Sequence, residues 1–313
     1  MPSVFITGVS GYIGTILARR LLADGRYRPV VGIDIRVPAA LPEGLVFIQR
    51  DVRAPLTDLL RRRGTEILIH TAFVVAPLHD TALTEDINLV GTRNVLRAAA
   101  DANVRHLLYT SSTTAYGLHA DNPPILEENS PLRGNADFTY AKNKRELETD
   151  MAVFTRRHPD TAVTVLRPCI VMGPGFDNVM SRHLTRRVVV LPAPGVPLQL
   201  VHEDDLARAV VLCLERTVTG VYNIAGAGEI SVPEMVRGLG KTPLSLPAGL
   251  AAALNHLAWT ARLSCLTEFP SPALKMMRYP WQASPRRFVR QTGFVYRYDT
   301  RETFADWADS LRG

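Results

Sequence analysis

Cysteine is scarce in this chain: three in 313 residues, Cys169, Cys213 and Cys265. Their wide spacing forms neither a disulfide framework nor a metal-ligand pattern, so no metal is expected. It suits a reducing compartment, and a cytoplasmic location is expected. Lysine is scarcer than the charge suggests. Only Lys142, Lys144, Lys241 and Lys275 contribute to the 36 basic residues, so the net charge of +6 is carried by arginine. Those arginines are scattered, apart from Arg61-Arg62-Arg63, with no interleaved aromatics, which argues against a nucleic-acid partner. Long apolar runs are missing too. Leu244 to Leu263 comes nearest, but Pro247, Asn255, His256 and Arg262 interrupt it. It reads as an amphipathic helix, and no membrane partner is expected. With a first strand beginning at residue 3, no secretory leader is expected. No short-period repeat appears. With 46% hydrophobic and 21% charged residues, the composition is that of an ordinary globular protein.

What is present starts at the N-terminus. Ser3 to Thr7 is an apolar strand, Gly8-Val9-Ser10-Gly11-Tyr12-Ile13-Gly14 a glycine-spaced turn, and Thr15 to Leu22 a helical pattern. Strand, turn and helix in that order make a phosphate-binding corner. Gly8 permits the tight turn, Gly11 lets backbone approach a pyrophosphate, and Gly14 lets helix and strand pack closely. The N–H groups and positive dipole end of the helix then face the anion. A second strand, Pro29 to Asp34, ends in a carboxylate twenty residues after Gly14. That is the place of the acid that holds an adenosine ribose. A carboxylate there repels a 2′-phosphate, which favours NAD over NADP, although Arg36 follows closely.

The β-α alternation continues. Leu45–Ile48 is a strand that leads to Asp51, positioned to accept from the adenine amino group. Glu66–Ala72 is the fourth strand, whose His70 reads as a satisfied strand-end histidine. Glu85 to Ala100 is an amphipathic helix containing Asn88. His106–Thr110 is the fifth strand and runs into the hydroxyl cluster Ser111-Ser112-Thr113-Thr114. Tyr140 opens a helix to about Arg157 and shares a face with Lys144. Val163–Pro168 is the sixth strand. Six alternations predict an α/β fold of Rossmann type, a doubly wound parallel sheet with helices on both faces. Beyond residue 175 the pattern loosens. Val188–Leu191 reads as a short strand, Leu206–Leu214 as a helix and Val221–Ile224 as a strand. Ser231 and Glu234 form a capping box. The domain division expected is 1–175 plus about 201–225 for the dinucleotide, and 176–200 plus 226–313 for a smaller substrate-binding annex.

Taken together, these segments resemble the extended short-chain dehydrogenase/reductases, the NAD-dependent epimerase/dehydratase group. The resemblance runs from residue 3 to about 235. It rests on the turn Thr7 to Gly14, Asp34, Asp51-Val52, His70-Thr71-Ala72, Asn88-x-x-Gly91-Thr92 and Ser111-Ser112 through Tyr116-Gly117. Tyr140 with Lys144, Arg167-Pro168 with Gly173-Pro174, and Val201 to Asp205 complete it. It implies Ser112, Tyr140 and Lys144 as catalytic residues. Tyr140 exchanges the alcohol proton, Ser112 holds the substrate oxygen, and Lys144 favours the phenolate and binds the nicotinamide ribose. The cofactor contacts implied are Gly8, Gly11, Tyr12, Ile13, Gly14, Asp34, Ile35, Arg36, Asp51, Val52, Thr71, Ala72, Asn88, Thr110, Ser111, Tyr140, Lys144, Pro168 and Ile170. A homodimer formed through the helices Glu85–Ala100 and Tyr140–Arg157 is also implied.

Two departures narrow the substrate. The dehydratases that resemble this family carry an Asp-Glu pair where Thr113 and Thr114 stand, and threonines cannot drive water elimination. Sugar-nucleotide enzymes commonly carry an asparagine for the diphosphate three residues after the strand-six arginine, and here that position is Ile170. The main expectation is therefore an NAD-dependent oxidoreductase that interconverts a ketone and a secondary alcohol on a small, apolar, non-nucleotide substrate. The alternatives are a sugar-nucleotide epimerase and a non-catalytic dinucleotide-binding protein.

Overall fold

The computed structural model describes residues 1–38 and 40–312. The first half alternates strands and helices: β1 (Val4–Thr7), α1 (Tyr12–Asp24), β2 (Val30–Asp34), β3 (Leu45–Gln49), α2 (Thr57–Arg62) and β4 (Ile67–His70). Next, α3 (Thr81–Glu85) passes through a π-helical turn (Asp86–Val90) into α4 (Gly91–Asp101). Then come β5 (His106–Thr110), a 3-10 turn (Thr113–Tyr116), α5 (Thr139–Arg157) and β6 (Ala162–Pro168). The second half holds β7 (Ile170–Met172), α6 (Val179–Leu184), β8 (Val188–Ala193), β9 (Leu200–His202), α7 (Glu203–Glu215) and β10 (Gly220–Ile224). It ends with α8 (Val232–Gly238), β11 (Thr242–Pro247), α9 (Ala248–Thr260), a 3-10 segment (Ser271–Met277), α10 (Arg286–Thr292) and α11 (Thr300–Ser310).

Seven strands form one sheet in the order β10-β6-β5-β4-β1-β2-β3, every neighbouring pair parallel. This is the expected Rossmann-type sheet, extended by β10. Parallel strands need cover on both faces, which is why β1 is apolar and buried throughout. One face packs Ile6 and Val30 against Leu17 and Leu21 of α1 and Val210 of α7. The other packs Phe5 and Val31 against Leu60, Val95 and Leu147 of α2, α4 and α5. A third core lies outside the sheet, around Trp281, Trp307, Met235 and Leu200. The chain reverses its winding between β1 and β4, so their carboxyl ends diverge into the crevice where ligands bind in such sheets.

Three elements differ from the sequence expectation. The helix predicted from Glu85 begins at Thr81, because Asp80 caps it by accepting from the Leu83 N–H at 2.9 Å, and a π-helical turn interrupts it. The helix predicted from Leu244 begins only at Ala248. Thr242–Pro247 instead pairs in parallel with β8, which runs to Ala193; Pro243 and Pro247, lacking N–H groups, suit this ladder better than a helix interior. The segment grouped with the annex is also divided, since Phe288 and Phe294 join the core beneath the main sheet. The capping box of Ser231 and Glu234 forms as expected. Gly313, the last residue of the expected annex, lies outside the described residues. Among the described residues no helix is long and apolar enough to cross a membrane.

Candidate active site

The glycine turn has the shape its spacing predicts. Gly8 has a φ of +75°, and a Cβ on it would lie 2.5 Å from the Ala72 backbone. A Cβ on Gly14 would lie 2.1 Å from the Gly8 carbonyl oxygen. Neither position tolerates a side chain. Gly11 meets only the Gly8 oxygen, at 3.2 Å, so its outer face is open. No side chain caps α1 at Gly11, so the N–H groups of Tyr12, Ile13 and Gly14 begin a helix whose anion must come from elsewhere. Asp34 ends β2, and its two oxygens accept from the Ser10 N–H at 3.1 Å and the Arg36 N–H at 3.0 Å. It thereby ties the turn to β2 and keeps lone pairs free for hydroxyl donors. Ile35 is exposed beside it. This open glycine cradle, uncapped helix start and free carboxylate fit a dinucleotide.

The flanking residues are ordered by their own contacts. Asp51 is gripped by the Arg53 guanidinium and N–H, which hold its carboxyl below the usual range. Val52 is buried, and its carbonyl accepts from Asn94 at 2.6 Å. Thr71 donates to the Thr7 carbonyl at 2.7 Å, pressing Thr71-Ala72 onto the glycine turn. His70 lies between the Thr7 and Thr92 hydroxyls at 2.6 and 2.8 Å. Burial takes its pKa to about 3, so it is neutral. Asn88 accepts from the Val74 N–H at 2.8 Å and supports the loop after β4. Tyr12 donates to Glu203, which also accepts from the Gly175 N–H at 3.1 Å. This contact joins the cofactor turn to the loop after β7.

Ser112, Tyr140 and Lys144 converge where β5 meets α5. Ser112 leaves β5 extended and caps the following 3-10 turn. Lys144 is buried and donates to the Thr110 carbonyl at 2.8 Å. Its Nζ lies 3.8 Å from the centre of the Phe73 ring and 5.9 Å from that of Tyr140. Phe73 meets Tyr140 edge-on, with ring centres 5.4 Å apart. Burial raises the Tyr140 pKa, and a hydrogen bond with Ser112 opposes the rise. Burial lowers Lys144 itself to about 7, with Glu148 opposing.

Glu148 and Phe73 are the residues that sequence reading missed. Glu148 lies one further turn along the α5 face that carries Tyr140 and Lys144, and that i, i+4, i+8 spacing was the available signal. It forms a buried pair with Arg167 at 2.5 Å, both side chains at most 5% exposed. It also accepts from Ser111 at 2.6 Å. Arg167 continues to the Tyr116 hydroxyl at 2.7 Å, and Tyr116 to Asn223 at 2.8 Å. The Ser111 hydroxyl is therefore committed to this network. The two threonines in the acid–base positions are buried, Thr113 facing the Pro168 carbonyl at 3.4 Å and Thr114 donating to Ser112 at 3.0 Å. Ile170 sits in β7 and packs into the annex core.

A seven-stranded parallel sheet, a glycine corner at β1 and a Ser-Tyr-Lys cluster at the carboxyl ends define a Rossmann-type protein of the extended short-chain dehydrogenase/reductase class. The chain belongs to the NAD dependent epimerase/dehydratase family, whose model matches residues 4–225. NAD is that family's cofactor, in agreement with the sign of Asp34. The chain is 25% identical over 313 residues to an uncharacterized protein of Mycobacterium tuberculosis (strain ATCC 25618 / H37Rv), covering 97% of this chain and 82% of that one. It is 26% identical over 256 residues to the UDP-glucose 4-epimerase of Vibrio cholerae, covering 76% of this chain and 75% of that one. The structure of the Thermus thermophilus UDP-glucose 4-epimerase complex with NAD superposes with a TM-score of 0.79 at 23% identity, covering 99% of both chains.

Proposed function

We propose that this chain is an NAD-dependent epimerase acting at a secondary-alcohol carbon of a nucleotide-linked sugar. The observation that carries the chemistry is the convergence of Ser112, Tyr140 and Lys144 beside the glycine corner. The likeness to a UDP-glucose 4-epimerase supports the substrate class, and with it the sugar nucleotide displaces the apolar ketone as the preferred substrate. The backbone N–H groups at Gly11 to Gly14 hold the pyrophosphate of NAD, and Asp34 holds the adenosine ribose. NAD supplies a reversible hydride acceptor. Tyr140 takes the hydroxyl proton of the substrate and later returns it, Ser112 fixes the same oxygen, and Lys144 holds Tyr140 and the ribose in register. Thr113 and Thr114 supply no acid or base, so water elimination is not part of the reaction. Residues 176–200 and, apart from the α10 segment that joins the main core, 226–312 cover the substrate.

A second reading, reduction of an apolar carbonyl, is favoured by Ile170, which offers no hydrogen bond to a diphosphate. One experiment separates the two. The protein is incubated with NAD and UDP-glucose or UDP-galactose, and the C4 configuration is followed by proton NMR. Interconversion without net accumulation of NADH supports the epimerase, and Tyr140→Phe then lowers the rate by roughly 10²–10⁴-fold. Stoichiometric NADH oxidation by members of a carbonyl panel, without epimerisation of either sugar, replaces it with the reductase.

A further inference from the structure

The outward face of α9 is apolar without a covering element. Leu250, Leu254 and Leu257 are 48%, 48% and 65% exposed, and their i, i+4, i+7 spacing places them in one stripe. Leu263 and Leu266, 45% and 60% exposed, follow it just beyond the end of α9. No Asp or Glu occurs between Glu234 and Glu268. The end of the stripe meets the start of β8, because Arg186 donates to the Ser264 carbonyl at 3.0 Å. Arg187 follows there, its carbonyl accepting from the Thr242 N–H at 3.1 Å, with Lys241 next to Thr242. The backbone thus brings Arg187 and Lys241 to the chain segment two residues past Arg262, and among the described residues none of the three pairs with a carboxylate. Glu268, the next acid along the chain, is already paired with Arg182 and Arg186.

We propose that this face docks on the surface of an anionic lipid bilayer, with the leucines entering the headgroup boundary and the three cations meeting lipid phosphates. Apolar stripes flanked by Lys and Arg bind such interfaces, and each nearby cation adds to the attraction. Charge decides against a second copy of the chain. Residues 235–267 of a second copy carry no carboxylate, so that surface offers the three cations no counter-charge. The attachment is peripheral, so it departs from the expectation of no membrane partner without requiring a spanning helix. Trp259 of α9 stacks on His79 at 3.9 Å, linking the docking helix to the β4 loop that carries Phe73.

The test is flotation of the full-length, NAD-loaded protein with vesicles of phosphatidylcholine, with and without phosphatidylglycerol, at about 0.15 M salt. The wild type is expected to float with the anionic vesicles only. The double variant Leu254→Ser/Leu257→Ser is expected to lose this binding, and Arg262→Glu to weaken it at least about tenfold, while both melt at the wild-type temperature. Three results overturn the proposal. One is a wild type that floats with neither vesicle or equally with both. Another is variants that bind like the wild type. The third is a dimer by light scattering that the double leucine variant dissociates, which makes the second copy the occupant.

Discussion

Replacing Lys144 with methionine is expected to stabilise the cofactor-free protein at neutral pH while abolishing turnover. Lys144 is 3% exposed, and burial lowers its pKa from 10.5 to about 7. The unfolded chain keeps this proton up to about pH 10.5 and the folded chain only to about pH 7. Between those values the unfolded state binds more protons, so stability rises with pH across the window, and below it the full penalty applies. The gap between 10.5 and about 7 corresponds to roughly 5 kcal/mol. Methionine gives up the bond to the Thr110 carbonyl, a loss of about 1–3 kcal/mol. It also gives up the ammonium contact over Phe73, a further loss of about 1–2 kcal/mol. A net gain of about 0–3 kcal/mol at pH 7 remains from these terms. The pH dependence is larger. From pH 7 to about 9.5 the wild type gains roughly 3 kcal/mol relative to the variant. His70 titrates below this window and Tyr140 above it, and both are common to the two proteins. Urea unfolding followed by circular dichroism across this range measures the difference. Parallel curves for the two proteins would refute the idea that burial holds Lys144 near neutrality.

Three further predictions concern the cofactor corner and the buried pair. Asp34→Ala removes the charge that repels a 2′-phosphate and leaves Arg36 in place, so the ratio of NADPH to NADH affinity is expected to rise at least about tenfold, measured by fluorescence titration; a wild type that already binds NADPH tenfold tighter refutes the premise. Gly14→Ala drives a methyl group to 2.1 Å from the Gly8 oxygen, so NAD binding is expected to vanish by calorimetry and the melting temperature to fall by several degrees; unchanged binding would mean the turn is not the phosphate cradle. Glu148→Gln leaves Arg167 buried without its charge partner, and urea unfolding is expected to show a loss of about 3–5 kcal/mol; a loss within about 0.5 kcal/mol would mean the pair is not closed in solution.

The first half of the chain was legible because its physics is local. A parallel strand buried on both faces reads as an unbroken apolar run, as in Val4-Phe5-Ile6, and a helix start that must bind an anion needs glycines where side chains collide. Tyr140 and Lys144 were legible for the same reason, one turn apart on one helix. Contacts between distant elements were not. Glu148 looks like any polar residue of an exposed helix until β6 brings Arg167 against it, and Phe73 looks like a strand-end aromatic until Lys144 lies over its ring. The region after residue 240 fails differently. Alternation at Leu244 and Leu246 and helical spacing at Leu250, Leu254 and Leu257 lie within one apolar stretch, so composition alone merges β11 and α9. It also cannot tell a leucine that faces the core from one that faces outward. Ala251 and Ala258 fill the inner side of α9, and the larger leucines take the outer side, the reverse of the order that a soluble helix with no partner would adopt. That reversal is itself the physical reason to look for a partner on this face.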